Sequence, residues 1–516
     1  MWNVFKRGWK LLRLGIGVRS LSRSKDTASQ LRARRFLKQE FAGARGVMMK
    51  VGQLMAAADE TDGEMSELIK SIEPIPLKQI LPAIDKALGC SWKTVFQSID
   101  ESCAAASLGQ VHHGVLNNGD EVAIKIQYPD IAQAIDAEMS LLGLMPKAGP
   151  VKQWRFDLDA YRQALKDNMA EELDYRHEAA TQSFFYHQLN IDSVVVPKIY
   201  DDLCSETLLV QSWEEGDYLD MASSWVTRDR EKVATLLLRL LLRSLFVTRR
   251  LHADPHMGNS YYRYHEDQGV EMVLMDYGCA IELSEQQSLA LLKLILSIKE
   301  KTSGRPIENF AAMGFDAEKL ARIEPYLPRL CQYLFEPFLE DQSFILQQWS
   351  VGKKIGDLLA EERWWFRSAG PAKLIFIMRA FQGLVQQFET LKININWQQV
   401  FEQSVPAEIM QQARDFQCPA IHTGAQRREV IKALASTLKV KVVRQGKTKV
   451  EVNLPAESVL DLEMFIPDEI KLKLSQSSEI DLQDILHRVR SSGIAAQQVF
   501  DYEDTESDSH YHIWLE

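Results

Sequence analysis

The sequence predicts an α+β chain in which a strand-rich segment and a larger helical segment form two lobes, with a helical extension before them and a small α+β module after them. Three observations carry this. Strand-like runs separated by turn signals concentrate between residues 101 and 216. The stretch from 217 to 425 is patterned almost throughout as helix. After a break near 420–435, the alternation typical of strands returns over 436–516. At 516 residues, 46% hydrophobic and 25% charged, the chain has the composition of a soluble globular protein with more than one core.

The extension, residues 1–100, opens with Trp2, Phe5, Trp9, Leu12 and Ile16 at three- and four-residue steps among Lys6, Arg7, Lys10 and Arg13. That pattern is one face of a basic amphipathic helix. It suits an anionic membrane surface, and equally a helix docked on the body of the protein with its basic face solvated. A further helix containing Arg45–Ala58 ends near Asp59–Gly63, and residues 77–98 read as one or two more, punctuated by Pro76 and Gly89. The strand-rich lobe, 101–216, begins with Gln110–Leu116 and Glu121–Gln127 joined by Asn117-Asn118-Gly119-Asp120, a strong hairpin signal. Helices are predicted over 131–145 and 157–190, then strands over Val194–Pro197 and Thr207–Trp213, closed by Glu214-Glu215-Gly216.

The helical lobe starts with a long apolar helix over 229–250, a hairpin follows over Tyr261–Tyr264 and Val270–Met275, and residues 284–415 are nearly all helical. In the last segment, Leu438–Arg444 and Lys449–Leu454 alternate around Gln445-Gly446-Lys447. Helical stretches near 456–465 and 481–491 come next, then a second hairpin, Gln498–Tyr502 with His510–Leu515. This reads as a separate unit without convergent catalytic residue types, suited to docking on or capping the main body.

Charge and cysteine usage exclude several classes. A net charge of −11 argues against general nucleic-acid affinity. The basic character is confined to the first forty-five residues, where Asp26 and Glu40 are the only acids. Six cysteines with no CxxC pair point to free thiols in a reducing compartment. No run reaches the roughly eighteen apolar residues needed to span a bilayer; Ala372–Val385, for example, carries Lys373 and Arg379. The expected location is cytoplasmic, with peripheral attachment to the inner membrane face.

The chemistry concentrates in two motifs. Residues 252–259 read His-Ala-Asp-Pro-His-Met-Gly-Asn, and Val273-Leu274-Met275 runs into Asp276-Tyr277-Gly278. Asp254 and Asn259 have the spacing of a kinase catalytic loop, where the Asp orients or deprotonates a hydroxyl and the Asn amide oxygen ligates magnesium. Asp276, at the end of a buried strand, supplies a second oxygen ligand for a hard cation. Either motif alone is compatible with a helix stop or an ordinary turn; their order and spacing together favour the site.

Upstream, Val122-Ala123-Ile124-Lys125 places a lysine on a strand, where an ammonium bridges nucleotide phosphates. Glu178 stands in the right region of the chain to hold it. Before that hairpin, Cys103-Ala104-Ala105-Ala106-Ser107-Leu108-Gly109-Gln110 occupies the place of a glycine-rich phosphate loop. Alanines there disfavour positive φ and narrow the loop's options.

Taken in order, the chain has Lys50-Val51-Gly52-Gln53, the alanine run, VAIK ending at Lys125, Glu172-Leu173-Asp174, HADPHMGN and Asp276-Tyr277-Gly278, over about residues 45–400. In these motifs it resembles the UbiB/AarF family of atypical protein-kinase-like proteins. The resemblance implies a protein-kinase-like bilobal fold, with ATP and a magnesium ion (Mg2+) as cofactors. It implies nucleotide contacts from Ala104, Ala105, Ala106, Ser107 and Lys125, and a KxGQ segment folded over the cleft. There Lys50 would approach Glu172 and the phosphates, and Gln53 would line the same cleft. It implies that Glu178 pairs with Lys125, that Asp254 is the catalytic carboxylate, and that Asn259 and Asp276 hold the metal. It implies a role in isoprenoid quinone or lipid metabolism, with ATP binding or hydrolysis seen more readily than protein phosphorylation.

The sequence departs from the family pattern at Met257, commonly proline, and at Tyr277, commonly phenylalanine. It also shows no counterpart of the C-terminal membrane helices of many quinone-linked members. Three readings follow: an ATP-dependent phosphotransferase or ATPase acting near a membrane, a nucleotide-switched pseudokinase scaffold, and a small-molecule kinase. The KxGQ and ExD motifs argue against the third.

Overall fold

The computed structural model describes residues 74–106, 108–133, 135, 153–254, 256–267, 269–302, 304–422, 434–476, 481–504 and 507–516. The readings placed on residues 1–25, Lys50, Gln53 and Ser107 lie outside the described residues.

The first lobe is built on an antiparallel sheet of order β1-β2-β3-β5: β1 (Phe96–Ala105), β2 (Gly109–Leu116), β3 (Glu121–Gln127) and β5 (Leu208–Ser212). Helix α1 (Leu77–Leu88) lays Ile80 and Ile84 on its apolar face, against Phe96, Val122, Ile124 and Val210. The sheet starts at Phe96, inside the stretch read from sequence as helical. Polar residues dominate 97–102, so no strand alternation is visible there. The ladder to β2, with register Phe96↔Leu116 through Ala105↔Gln110, sets the conformation instead.

Where the sequence suggests one helix over 157–190, two are present, α2 (Leu158–Glu172) and α3 (Tyr175–Gln188). Asp174 breaks them by capping α3, its side chain accepting from the Arg176 N–H at 3.0 Å. Glu172 is thereby left buried at the corner.

The second lobe packs around α4 (Thr227–Phe246), whose Leu236, Leu238 and Leu242 are fully buried. Two small β units sit beside it. One joins β4 (Val194–Val195), β8 (Gly269–Leu274) and β7 (Ser260–His265). The other pairs β6 (Arg250–His252) with β9 (Ala280–Glu282). Helices α5 (Glu285–Lys299), α6 (Leu327–Phe335), α7 (Leu374–Leu391) and α8 (Trp397–Ser404) complete the layer, with Trp397 fully buried.

The last segment forms a sheet of order β11-β10-β13-β12, made of β10 (Thr437–Arg444), β11 (Lys447–Pro455), β12 (Gln497–Asp504) and β13 (Ser509–Leu515). Its apolar face shares one core with the helical lobe. Leu438, Val440, Ile513 and Leu515 join Ile307, Phe310, Leu327 and Leu330. Arg329 of α6, almost fully buried, donates to the carbonyls of Ala435 (2.6 Å) and Ile494 (3.0 Å) and to Glu457 (3.1 Å). At the same seam Gly493 has φ +68°, and a Cβ there would stand 2.4 Å from the Pro325 carbonyl oxygen. The two surfaces meet too closely for a side chain.

Candidate active site

Lys125 is central on β3, which is hydrogen-bonded to both β2 and β5. Its Nζ donates to Glu178 Oε1 of α3 at 2.6 Å and lies 3.7 Å from Asp276 Oδ2. The Tyr175 ring, one turn before Glu178, sits 5.1 Å from the ammonium. Burial by itself lowers the Lys125 pKa, but Asp276 and Glu178 outweigh it and hold the group above its ordinary value. Burial pushes the Glu178 carboxyl above the usual carboxylate range, opposed by Lys125 and by the Tyr277 N–H.

The two carboxylates of the second lobe are brought together by backbone pairing. His252 pairs with Ala280 in the β6–β9 ribbon, and the Ala253 N–H donates to the Cys279 carbonyl at 2.9 Å. The Met275 N–H donates to the Asn259 carbonyl, also at 2.9 Å. The His252 ring bonds the Asp276 carbonyl. Asp276 Oδ1 accepts from the Gly278 N–H at 2.9 Å, and its side chain remains 37% exposed toward the cleft. Asn259 donates its amide nitrogen to the Asp254 carbonyl at 3.2 Å, which leaves its amide oxygen as the outward acceptor. Glu172 borders the same point, its Cγ 3.8 Å from where a Gly278 side chain would begin.

The two departures from the family pattern are accommodated. Tyr277 is fully buried and its hydroxyl donates to the Leu274 carbonyl at 2.9 Å. The Met257 sulfur lies 3.7 Å from Thr390 Oγ1 on α7.

The alanine run is more regular than the sequence suggests. Ala104 and Ala105 are strand residues of β1, paired with Val111 and Gln110. Beyond the strand, the Ala106 N–H donates to the Gly109 carbonyl at 2.8 Å. No positive φ occurs at Ala104, Ala105 or Ala106, so alanine costs nothing there. Gly109 is the constrained position: a Cβ would lie 2.2 Å from the Ile126 carbonyl oxygen and 3.0 Å from the Tyr175 hydroxyl. This position therefore stands beside the Lys125–Tyr175 contact.

Next to it, the buried Gln110 amide both accepts from the Ile75 N–H and donates to the Ile75 carbonyl, each at 2.9 Å. Its nitrogen also meets His112 Nε2 at 2.7 Å, and His112 Nδ1 meets the Asp100 carbonyl at 2.8 Å. A carbonyl can only accept, so Nδ1 carries the proton and Nε2 is the acceptor. Burial accordingly lowers the His112 pKa.

Sequence reasoning missed Arg379. Its Nη2 donates to Asp254 Oδ1 at 2.6 Å, and both residues are 8% exposed. A signal was present: Arg379 stands on the stripe Phe376, Ala380, Leu384 and Phe388 that α7 buries, and a charge on such a stripe requires a partner. Among the described residues, the carboxylates of Glu172, Glu178, Asp254 and Asp276 face the cations Lys125 and Arg379. Carboxyl groups therefore outnumber cations around this point.

A lysine–glutamate pair between a strand of the four-stranded first-lobe sheet and a packed helix, facing an Asp–Asn loop and a strand-end Asp, is the arrangement of a protein-kinase-like fold. Residues 67–308 match the ABC1 atypical kinase-like domain. The chain carries a UbiB/AarF-family atypical kinase-like domain. It is similar to the atypical kinase COQ8B, mitochondrial, of Danio rerio, 30% identical over 249 residues, covering 47% of this chain and 39% of that one. The COQ8B of Rattus norvegicus is 32% identical over 251 residues, covering 47% of each chain. The chain thus spans about half or less of the length of these curated relatives. A solved structure of Rv3197 with erythromycin, from Mycobacterium tuberculosis, is 23% identical with a TM-score of 0.48, covering 74% of this chain and 99% of that one. No helix among the described residues is long and apolar enough to cross a membrane.

Proposed function

We propose that the cleft binds ATP with a magnesium ion and that the chain is an ATP-dependent ATPase or phosphotransferase supporting isoprenoid quinone or lipid metabolism. The observation that carries this reading is the Lys125–Glu178 pair at 2.6 Å with Asp276 Oδ2 3.7 Å from the same ammonium. A lysine fixed by a buried carboxylate, beside a second carboxylate that is partly exposed, suits nucleotide phosphates and their metal.

The residues present fit that cofactor. Among the described residues no three His, Cys, Asp or Glu side chains are grouped to hold a metal. Magnesium needs no such cage, since one or two carboxylates plus phosphates and water suffice. Asp276 and the Asn259 amide oxygen would be its protein ligands, oxygen donors suited to a hard cation. When bound, the metal supplies charge neutralisation for the phosphates. Asp254 would orient a water or hydroxyl and accept its proton. Ala104, Ala105, Ala106 and Ser107 would cover the phosphates, and Lys50, Gln53 and Glu172 would line the cleft, as the family resemblance implies. Residues 1–25 would hold the chain on an anionic membrane surface, within reach of a lipid or isoprenoid substrate.

The test is ATP turnover by purified protein, with and without anionic liposomes and a quinone-precursor mimic, with product analysis to separate hydrolysis from transfer. Absence of both turnover and magnesium-dependent stabilisation by ATP or ADP refutes the proposal. One observation favours a second reading, a nucleotide-switched scaffold: Asp254 Oδ1 is already engaged by Arg379. Binding without turnover would assign it.

A further inference from the structure

We infer that Arg379 is a positioning residue for Asp254, so that helix α7, which lies beyond the segment matched by the kinase-like domain, is a working part of the active centre. The inference rests on the reading of Asp254 as the catalytic carboxylate.

The contact is short and charge-assisted, 2.6 Å between Nη2 and Oδ1, with the side chains 9% and 11% exposed. Such a pair is not an incidental surface bridge, because either partner without the other would be a buried, uncompensated charge. Burial opposes the charge on the guanidinium, but Asp254, Cys279, Glu172 and Asp276 outweigh it and hold the Arg379 pKa above its ordinary value. The helix that delivers it is fastened to the same loop on both sides. Phe376 packs with Ala253, Cys279 and Ile281, and Thr390 meets Met257. Arg379 stands between these two anchors on the same buried stripe.

The consequence concerns geometry at the reacting group. The Asp254 backbone carbonyl is held by the Asn259 amide and its Oδ1 by Arg379. The first contact holds the backbone of the loop and the second holds one carboxylate oxygen, so together they restrict the orientation of the Asp254 side chain. An arginine suits the task because its charge is permanent and its planar head is rigid, whereas a lysine at the same place keeps only the charge.

The experiment uses the full chain with Arg379→Met, Arg379→Lys and Asp254→Asn, singly and combined, reading steady-state ATP turnover and magnesium–ATP-induced thermal stabilisation. We expect Arg379→Met to lower kcat about a hundredfold, the cost of a misplaced catalytic group. KM for ATP should stay within about threefold, since no ground-state contact is removed. Arg379→Lys should recover part of kcat, and Arg379→Met should add little in the Asp254→Asn background, because its effect runs through that carboxylate. A raised KM with unchanged kcat, or a full and independent loss on top of Asp254→Asn, overturns the inference. Should Arg379→Met fail to fold, the lysine variant decides alone: wild-type kcat and KM there overturn it. No turnover in the wild type defeats the catalytic reading of Asp254 itself, an outcome distinct from a wild type that turns over and an Arg379→Met variant that matches it.

Discussion

Replacing Lys125 with Met strands Glu178. The Glu178 side chain is 2% exposed and its Oε1 takes the lysine at 2.6 Å, so the variant leaves a buried carboxylate with Asp276 nearby. Breaking a buried pair by removing one partner costs about 3–5 kcal/mol. The structure narrows this. A trapped carboxylate can escape by taking up a proton, and for a group of ordinary pKa 4.5 that costs about 3.4 kcal/mol at pH 7 and about 1.4 kcal/mol at pH 5.5. The penalty therefore has a ceiling that falls with pH. The sign follows from linkage. With its folded pKa raised above 4.5, Glu178 binds more protons in the folded variant than in the unfolded chain, so stability drops as pH rises through that window. We expect Lys125→Met to lose about 3 kcal/mol at pH 7 and roughly 2 kcal/mol less at pH 5.5, and Lys125→Met/Glu178→Gln to regain most of the loss at pH 7. The assay is urea unfolding of nucleotide-free protein at both pH values, followed by circular dichroism and tryptophan fluorescence to check that the transitions coincide. A loss below about 1 kcal/mol at pH 7, a loss independent of pH, or a double variant no more stable than the single one refutes the argument.

His112 gives a second pH dependence of opposite sign. Its folded pKa is lowered by burial from 6.5, so the unfolded chain takes up the proton first and stability falls as pH drops below 6.5. The difference in stability between wild type and His112→Gln should therefore change between pH 7 and pH 5; a constant difference means that burial does not lower the His112 pKa. Asp276→Asn should weaken the magnesium-dependent part of nucleotide stabilisation while Asp254→Asn keeps it and loses turnover, and equal ATPase rates in wild type and both variants would place the activity elsewhere. Ala105→Gly should destabilise the fold by about 0.5–1 kcal/mol, the usual cost of glycine in a strand, and shift ATP or ADP affinity only where the alanine run contacts phosphate; unchanged stability in urea unfolding refutes the strand placement.

What was legible in the sequence follows the range of the signal. The β2–β3 hairpin was read from Asn117–Asp120, and the strands formed at Gly109–Leu116 and Glu121–Gln127 match that reading to a residue or two. The Lys125–Glu178 contact, implied by family resemblance, occurs at 2.6 Å. Signals that depend on a partner distant in sequence were not readable. Strand β1 has little apolar alternation because most of it is exposed, and its conformation is fixed by pairing with β2. The break at Leu173–Asp174 was hidden because Asp174, a capping residue type, sits in an otherwise unbroken helical pattern and its role appears only with its hydrogen bond. The alanine run was read as standing in the place of a glycine-rich loop, whereas most of it continues a ladder.

The two buried arginines show what a single sequence still offers beyond its motifs. Arg329 interrupts the apolar stripe of α6, and Arg379 that of α7. In a helix that buries one face, a charge on that face is tolerated only when another element supplies compensating acceptors, because leaving it unpaired would cost more than the surrounding packing contributes. For Arg329 those acceptors are backbone carbonyls of the C-terminal segment and Glu457, which explains why that segment shares a core with the helical lobe although its own sequence reads as self-contained. For Arg379 the acceptor is the carboxylate of Asp254. The same violation of apolar periodicity thus marks a structural seam in one helix and the active centre in the next. What separates them is where the acceptor stands: the carbonyls and Glu457 that satisfy Arg329 lie at a packing seam, whereas the carboxylate that meets Arg379 belongs to the HADPHMGN loop and is itself restrained by the cation that holds it.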